Sequence, residues 1–321
     1  MPLPDYAVVT PVRDEAEHLA RTARSMIAQT HRPLRWVVVD DGSTDETRAI
    51  AERFAAEHDW IRVIGTGPRK QRARGAPIVR AFEAGRRALD VRPEFVVKMD
   101  GDLFLPAHYY EWVARTFERV PRAGLVGGLI LAWDGRRWIP DYKGSHSVGG
   151  GLKAYRTACL EEIGGLRESM GWDGIDEYGA RARGWLVCPL TELASLHYGL
   201  RGGKLPWRRA RWEEGVATHY MGYLWRWALV RAAYRALVER PRLVGGLVLW
   251  LGFAWSRLTR RPVVDDERAR EELRSEQRAR FRSLLRGGAT LDPTALPGGG
   301  PAFWADEADE QRDTLRDARD P

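Results

Sequence analysis

Short apolar runs alternate with helical periodicities along the first hundred residues. Four runs have the β-branched composition of buried strands, at residues 6–10, 36–40, 61–65 and 95–100. Apolar residues at helical spacing fill the intervals at 19–29 and 78–89. Residues 43–46 (STDE) have the capping-box pattern, which predicts a helix with Ser43 at its N-cap that runs to about residue 58. This βαβ alternation predicts an α/β fold around a parallel sheet.

The pattern changes twice further along the chain. Residues 124–133 predict another strand, and residues 176–183 predict a short helix that Gly184 ends. From about residue 199 the composition shifts to arginine, tryptophan and glycine. We therefore expect a catalytic-type domain at 1–200, a basic helical extension at 201–286 and a disordered acidic tail at 287–321.

The extension contains 14 uncharged residues at 243–256 (LVGGLVLWLGFAWS). A membrane-spanning helix needs about 20 apolar residues, so this run is too short to span in the usual way. Two alternatives remain open, a buried core helix and an interfacial membrane element. Upstream, Arg226, Arg231 and Arg235 lie close to one helical face, with tryptophan, leucine and alanine on the other. That pattern favours a helix on a membrane surface, although packing on the first domain is the alternative.

Composition excludes several classes of protein. The 321 residues are 44% hydrophobic and 30% charged, which is globular rather than fibrous, disordered or polytopic. Two cysteines cannot build a disulfide framework, and the N-terminus lacks the pattern of a signal peptide, so we expect a reducing, cytoplasmic location. The net charge of +7 first suggests nucleic acid, but residues 201–242 alone hold ten cations and three acids. The excess is local, and it favours an anionic membrane surface.

Polar residues follow three predicted strands, where open α/β sheets bind ligands. Thr10 and Pro11 follow the first strand, and Asp40 and Asp41 follow the second. The fourth strand ends in Asp100-Gly101-Asp102, and a D-x-D turn suits a hard divalent cation. Each feature also has a structural alternative, a solvated turn for D-x-D and an Asx turn or helix cap for the aspartate pair.

Together, the segments VVTPVRDE, VVVDDGSTDET and VVKMDGD resemble the inverting family 2 glycosyltransferases of the GT-A fold, over about residues 6–198. The resemblance implies a Rossmann-like mixed sheet flanked by helices. It implies a nucleobase pocket lined by Thr10, Pro11 and Asp41, with Asp40 also on the donor side. It further implies Mg²⁺ or Mn²⁺ bound by Asp102, with Asp100 in contact with the ribose or the metal. His197 would be a third metal ligand or a diphosphate contact, while a structural role is its alternative.

Four basic residues complete the donor site that the resemblance implies. Lys70, Arg72 and Arg74 would contact the diphosphate, and Arg201, in a glycine-rich stretch at 199–203, would close over it. Solvation is the alternative for the basic loop. The resemblance also implies a general base ahead of Gly184. We expect Asp176 in this role, at the start of a helix, with Asp173 as the second candidate.

These expectations combine into one function. The chain is expected to move a sugar from a UDP-, GDP- or dTDP-sugar to a lipid-linked or saccharide acceptor, as a peripheral protein at the inner face of the cell membrane. Envelope or extracellular polysaccharide synthesis is the expected pathway. A polyprenyl-phosphate sugar synthase is the alternative enzyme, and a nucleic-acid-binding protein is the alternative from another class.

Overall fold

A mixed β-sheet forms the centre of the computed structural model, which describes residues 2–67, 75–133, 137–140, 147–199, 206–238 and 241–285. The strands are β1 (Tyr6–Val12), β2 (Arg35–Asp40), β3 (Ile61–Gly65), β4 (Phe95–Met99), β5 (Leu103–Phe104), β6 (Ala123–Trp133), β7 (Trp138–Pro140), β8 (Leu152–Arg156) and β9 (Leu186–His197). Their order is β3-β2-β1-β4-β8-β6-β9-β5, with β7 paired to β6. The first four strands are parallel, and β8 joins β4 in the antiparallel direction.

Helices cover both faces of this sheet. They are α1 (Leu19–Ile27), α2 (Thr47–Glu57), α3 (Ala76–Arg87), α4 (Tyr109–Arg119), α5 (Thr157–Glu162), α6 (Trp172–Arg181), α7 (Trp207–Tyr220), α8 (Trp225–Val238), α9 (Val244–Leu258) and α10 (Glu267–Leu285). Val8, Val38 and Val97 face one core layer with α1 and α4, whereas Val9 and Val37 face a second layer with α3 and α6. Burial on both faces explains why these strands are continuous apolar runs.

The predicted capping box at residues 43–46 is wrong. Helix α2 begins at Thr47, whose backbone N–H donates to Asp45 Oδ1 at 3.0 Å. Ser43 fixes the preceding loop instead: its N–H donates to Asp40 Oδ1 at 3.0 Å, and its hydroxyl accepts from the Asp14 N–H at 3.1 Å. The serine is therefore occupied by tertiary contacts that the local sequence pattern does not reveal.

Three C-terminal helices cross closely at glycines. A Cβ on Gly215 of α7 would lie 2.1 Å from the Leu249 carbonyl oxygen of α9. A Cβ on Gly246 of α9 would lie 2.2 Å from the Ala232 carbonyl oxygen of α8. Backbones at this distance exclude any larger side chain, so the glycines set the packing of the trio. Within the described residues, no helix is long and apolar enough to cross a membrane.

Two of the arginines predicted to face lipid headgroups point into this helical trio. Arg231 Nη2 lies 2.7 Å and Arg235 Nη2 2.8 Å from Glu214 Oε1 of α7. Burial alone would raise the pKa of Glu214, but these two cations lower it to about 2. Arg211 Nη1 also lies 2.8 Å from Glu214 Oε2, so one partly buried carboxylate pairs with three arginines and offsets one of their three charges. Arg226 is exposed at the N-terminal end of α8.

Candidate active site

The carboxyl ends of β1, β2 and β4 meet at one edge of the sheet. The Asp41 N–H donates to the Val12 carbonyl at 2.9 Å, and Asp41 Oδ1 accepts from the Thr66 hydroxyl at 2.7 Å. Asp40 is buried and accepts the Ser43 N–H, which is the Asx-type turn given above as its structural alternative. Asp41 therefore stands between the ends of three strands, whereas Asp40 shapes the turn.

Thr10 does not present its side chain to this edge. It is fully buried, and its hydroxyl accepts the indole N–H of Trp36 at 2.8 Å. Pro11, the next residue on β1, is partly exposed. Because side chains alternate along a strand, Pro11 lies on the opposite face from Thr10. The threonine hydroxyl is thus part of the core, and only Pro11 of this pair has a side chain within reach of a ligand.

The Asp100-Gly101-Asp102 turn is held from four sides. The Asp100 N–H donates to the Gly151 carbonyl at 2.8 Å, and the Thr22 hydroxyl donates to the Gly101 carbonyl at 2.8 Å. The Tyr198 N–H donates to the Asp102 carbonyl at 3.1 Å. A Cβ on Gly101 would lie 2.6 Å from Val12 Cγ1, so only glycine fits at the centre of the turn. These contacts fix both carboxylates at the edge of the sheet.

Asp102 and His197 face each other across β5 and β9. His197 Nε2 lies 3.0 Å from Asp102 Oδ2, and both side chains are largely buried. Burial alone would raise the pKa of Asp102, but the hydrogen bond and charge of His197, with the charge of His18, lower it below its ordinary value. Asp102 is therefore held in the ionised form that binds cations.

The same pair has the spacing of two metal ligands. Atoms that occupy adjacent positions of an octahedral ion at about 2.1 Å lie about 3 Å from each other. Gly199 packs directly against the pair: a Cβ there would lie 2.1 Å from Asp102 Oδ2 and 3.0 Å from His197 Nε2, so a larger residue would displace one of the two side chains. Asp102 and His197 thus fit a divalent cation that takes its other ligands from phosphate and water.

Asp100 is not assembled with them into a three-residue cluster. Its Oδ1 forms a short ion pair with Lys98 Nζ, and no group of three or more His, Cys, Asp or Glu side chains within the described residues is arranged for a metal. Desolvation raises the pKa of Asp100, and the Lys98 charge opposes that rise. The expectation of a site built by Asp100, Asp102 and His197 together is corrected to a pair, because Lys98 competes for Asp100.

Helix α6 carries both candidates for the base, and it begins earlier than the sequence predicts. Gly171 takes a left-handed conformation (φ 82°), and the helix starts at Trp172. Asp176 therefore lies inside the helix, and the expectation that it stands at a helix start is wrong. Asp173 is the acidic residue of the first turn, and its side chain is exposed.

Asp176 is enclosed by donors. Lys153 Nζ lies 3.1 Å and the Tyr155 hydroxyl 2.5 Å from Asp176 Oδ2, and the Glu177 N–H donates to Oδ1 at 2.6 Å. Burial raises the pKa of Asp176 to about 6, while the Lys153 charge opposes that shift. A side chain with every oxygen occupied in the core cannot reach an acceptor hydroxyl, so its role here is structural.

Asp173 and Asp100 flank the same two glycines. A Cβ on Gly150 would lie 2.9 Å from Asp173 Oδ2, and a Cβ on Gly151 would lie 3.0 Å from Asp100 Oδ2. The D-x-D turn and the first turn of α6 thus lie beside consecutive residues of the same glycine segment, each with one carboxylate against it.

Comparison with known proteins finds relatives of this domain. Residues 7–144 match the model of glycosyl transferase family 2. The matched residues are less than half of the chain. Glycosyltransferase AglD of Haloferax volcanii is 34% identical over 142 residues, which are 43% of this chain and 20% of AglD. Glycosyltransferase AglE of the same organism is 26% identical over 132 residues, 40% of each protein. The chain therefore matches less than half of either relative.

Solved structures share the fold of this chain. The mannosyltransferase PcManGT of Pyrobaculum calidifontis, solved with GDP-Man and Mn²⁺, superposes with a TM-score of 0.54 at 17% identity, over 91% of this chain and 85% of its own. TarS 1-349 of S. aureus, solved with UDP-GlcNAc, has a TM-score of 0.56 at 16% identity, over 88% and 92%. The expected GT-A type mixed sheet is confirmed.

Four of the expected site residues lie outside the described structure, and two buried lysines near the site were not expected. Lys70, Arg72, Arg74 and Arg201 lie outside the described residues, as does the tail at 287–321. Lys98 and Lys153 were not anticipated as site residues, although each stands inside a run of buried residues (FVVKM and LKAYR). A charged residue in such a run was the available signal, because it must be paired when buried.

Proposed function

We propose that this chain is a metal-dependent inverting glycosyltransferase. It transfers a sugar from a UDP-, GDP- or dTDP-sugar to a membrane-linked or saccharide acceptor. The observation that carries the proposal is the Asp102–His197 pair (3.0 Å), in which Asp102 lies on the same turn as Asp100, with Asp100 beside Gly151 and the exposed Asp173 beside Gly150. We propose that the space between the D-x-D turn and α6 is the substrate cleft. The match of residues 7–144 to glycosyl transferase family 2 supports the proposed transferase activity.

Each side chain has a defined role in this proposal. Asp41 and Pro11, at the ends of β2 and β1, line the nucleobase and ribose side of the donor pocket, and Asp100 adds a donor contact. Asp102 and His197 hold Mg²⁺ or Mn²⁺. When bound, that ion neutralises charge that develops on the departing diphosphate. The four basic residues outside the described structure remain the proposed diphosphate contacts: Lys70, Arg72, Arg74 and Arg201.

Asp173 replaces Asp176 as the proposed base. An inverting transfer needs a carboxylate that removes the proton of the acceptor hydroxyl as the oxygen attacks the anomeric carbon. Asp173 is exposed at the cleft, whereas Asp176 is bonded to Lys153 and Tyr155. We place the acceptor on the α6 side of the cleft and the donor on the side of β1 and β2.

Two alternatives can be separated from the main proposal. A polyprenyl-phosphate sugar synthase uses an acceptor that is already an anion, so unaltered turnover in both Asp173→Asn and Asp176→Asn would favour it. Binding of nucleic acid is disfavoured because Arg231 and Arg235, two members of the basic extension, are engaged in ion pairs with Glu214 of the same protein. An inner-face membrane location and a role in envelope or extracellular polysaccharide synthesis remain part of the proposal.

The decisive assay measures release of the nucleoside diphosphate from UDP-, GDP- and dTDP-sugars, with Mn²⁺ or with a chelator. We expect turnover only with metal, and a loss of about 100-fold or more in Asp102→Asn. Asp90→Asn is the matched control, because Asp90 pairs with Arg35 at the start of β2, which is the opposite edge of the sheet. Wild-type turnover in Asp102→Asn would refute the metal assignment.

A further inference from the structure

Helix α9 exposes a continuous apolar face to solvent. The large exposed residues on it, here called the α9 apolar face, are Leu243 (just before the helix), Val244, Leu247, Leu251, Trp255 and Leu258. They recur at intervals of three to four residues, so they share one side of the helix. Leu258 is 78% exposed and Leu247 55%. On a helix of an ordinary soluble protein, side chains this exposed are usually charged or polar.

The opposite side of α9 fixes this orientation. Gly246, Leu249, Gly252 and Phe253 are buried, and the glycines meet the backbones of α8 and α7. Turning the helix to bury its leucines would bring side chains into crossings where even a Cβ lies 2.1–2.5 Å from a backbone oxygen. The helix is therefore a core helix on one side only, and its other side is an apolar surface that faces solvent.

The exposed apolar side runs along the whole length of α9. A helix of 15 residues is about 22 Å long. Along that length the exposed side carries no charge between Arg242 and Arg257. The neighbouring helix α8 adds exposed Trp225, Leu229 and Leu237. Contiguous apolar surface of this extent marks a site of association with another apolar body.

Charge at the two ends of the helix selects the partner. Arg242 is exposed at one end, and Arg257, Arg260 and Arg261 are exposed at the other. A second copy of the chain paired along α9 would place arginines against arginines in either direction. A bilayer with anionic headgroups offers an apolar interior to the leucines and negative charge to both ends.

The position of the surface suits the proposed chemistry. The Val264 N–H donates to the Tyr220 carbonyl at 2.7 Å, so the chain leaving α9 runs beside the end of α7. The next residue, Met221, contacts the N-terminal turn of α6: a Cβ on Gly171 or Gly174 would lie 2.9 Å from its sulfur or methyl carbon. Asp173 lies between those two glycines. The helical trio therefore abuts the proposed base.

We propose that the α9 apolar face inserts into the interfacial layer of an anionic phospholipid bilayer, with the flanking arginines at the headgroups. The consequence of this docking, that a membrane-linked acceptor is presented on the Asp173 side, rests on the proposed function. The docking does not, so it can be tested without any sugar donor.

The test is flotation of the full chain with vesicles of equimolar phosphatidylglycerol and phosphatidylcholine, or of phosphatidylcholine alone. We expect binding to the anionic vesicles, and about tenfold weaker partitioning for each of Leu247→Glu and Leu251→Glu. Leu186→Glu is the matched control, since Leu186 is 45% exposed at the start of β9 and away from α9. Arg242→Gln with Arg257→Gln should reduce the preference for anionic vesicles.

A second measurement reports insertion directly. Cys159 and Cys188 are buried, and burial raises the pKa of their thiols to about 12 and 11, so both should resist labelling in the folded chain. An environment-sensitive fluorophore attached to Leu251→Cys should shift to the blue when anionic vesicles are added, while the same dye on Leu186→Cys should not.

Two results would overturn the proposal. Equal flotation of wild type, Leu247→Glu and Leu251→Glu would show that the face does not contact lipid. A wild-type dimer in light scattering that either glutamate variant converts to a monomer would assign the face to a second copy. Failure of the sugar-transfer assay with a water-soluble acceptor would leave both vesicle results unaffected, so the two proposals fail separately.

Discussion

Lys98 and Lys153 stand directly opposite each other on the antiparallel strands β4 and β8, and both side chains are buried. Like charges in this position destabilise a sheet unless each has its own counter-charge. Lys98 pairs with Asp100 of the D-x-D turn, whereas Lys153 pairs with Asp176 and Glu177 of α6. The two lysines thus tie the predicted donor side and the predicted acceptor side to adjacent strands.

Lys153→Met should lower the free energy of unfolding by about 3–5 kcal/mol. The substitution leaves Asp176 and Glu177 buried without their shared cation, whose pKa these carboxylates raise above its ordinary value despite burial. Chemical denaturation measures the loss. Adding Asp176→Asn and Glu177→Gln to Lys153→Met removes the two buried, unpaired carboxylates and should recover part of the lost stability. A single variant as stable as wild type would contradict the pairing.

A matched pair of alanine substitutions separates the base from its structural neighbour. Asp173→Ala should reduce turnover by about 10²–10⁴-fold and change stability by less than about 1 kcal/mol, because the side chain is exposed. Asp176→Ala should lower stability by about 3 kcal/mol, because Lys153 and Tyr155 lose their acceptor. Steady-state kinetics and thermal unfolding distinguish them. Wild-type turnover in Asp173→Ala would assign the base elsewhere.

Gly199→Ala tests the space beside the Asp102–His197 pair. The added methyl group would lie 2.1 Å from Asp102 Oδ2, so one of the two side chains must move. We expect Mn²⁺ binding, followed by the paramagnetic signal of the free ion, to weaken at least about tenfold. Gly245→Ala is the control, because its Cβ would meet nothing closer than 3.8 Å. Equal Mn²⁺ affinity in both variants would place the metal elsewhere.

Glu214 should make the stability of the helical trio (α7, α8 and α9) depend on pH. Its folded-state pKa of about 2 lies below the ordinary 4.5, so its stabilisation is complete above pH 4.5 and disappears as the pH falls to about 2. Glu214→Gln should therefore be less stable than wild type at pH 7, by at most about 3 kcal/mol. The gap should shrink between pH 4.5 and 2. A gap independent of pH would contradict the pairing with Arg231 and Arg235.

The sequence predicted best where burial alone determines the element. Strands β1 to β4 lie within two residues of their expected bounds, because a strand buried on both faces must be apolar throughout. Helix α6 was placed four residues late, since its first turn contains Gly174 and follows Gly171, and glycine does not favour a helix. The expected position of Asp176 at the helix start is wrong for the same reason, because the exposed first turn of α6 lies four residues earlier and carries Asp173.

The sequence alone did not predict which distant segments pair with each other. Lys98 and Lys153 face each other only through the register of β4 with β8, and the Asp102–His197 contact depends on the pairing of β5, which follows Asp102, with β9. The sequence pattern predicts that Arg231 and Arg235 are surface arginines, whereas in the structure Glu214 of α7 pairs with both. Each of these relationships depends on tertiary packing that no local pattern encodes.

The central claim is that a divalent cation held by Asp102 and His197 is needed to bind a nucleotide-sugar. Thermal unfolding of the full chain with UDP-, GDP- and dTDP-sugars, with and without Mn²⁺, tests this most directly. We predict that one donor class raises the unfolding temperature by about 5 °C in the presence of Mn²⁺, and that the shift disappears without the metal or in Asp102→Asn. No shift with any donor, or the same shift without metal, would contradict the account.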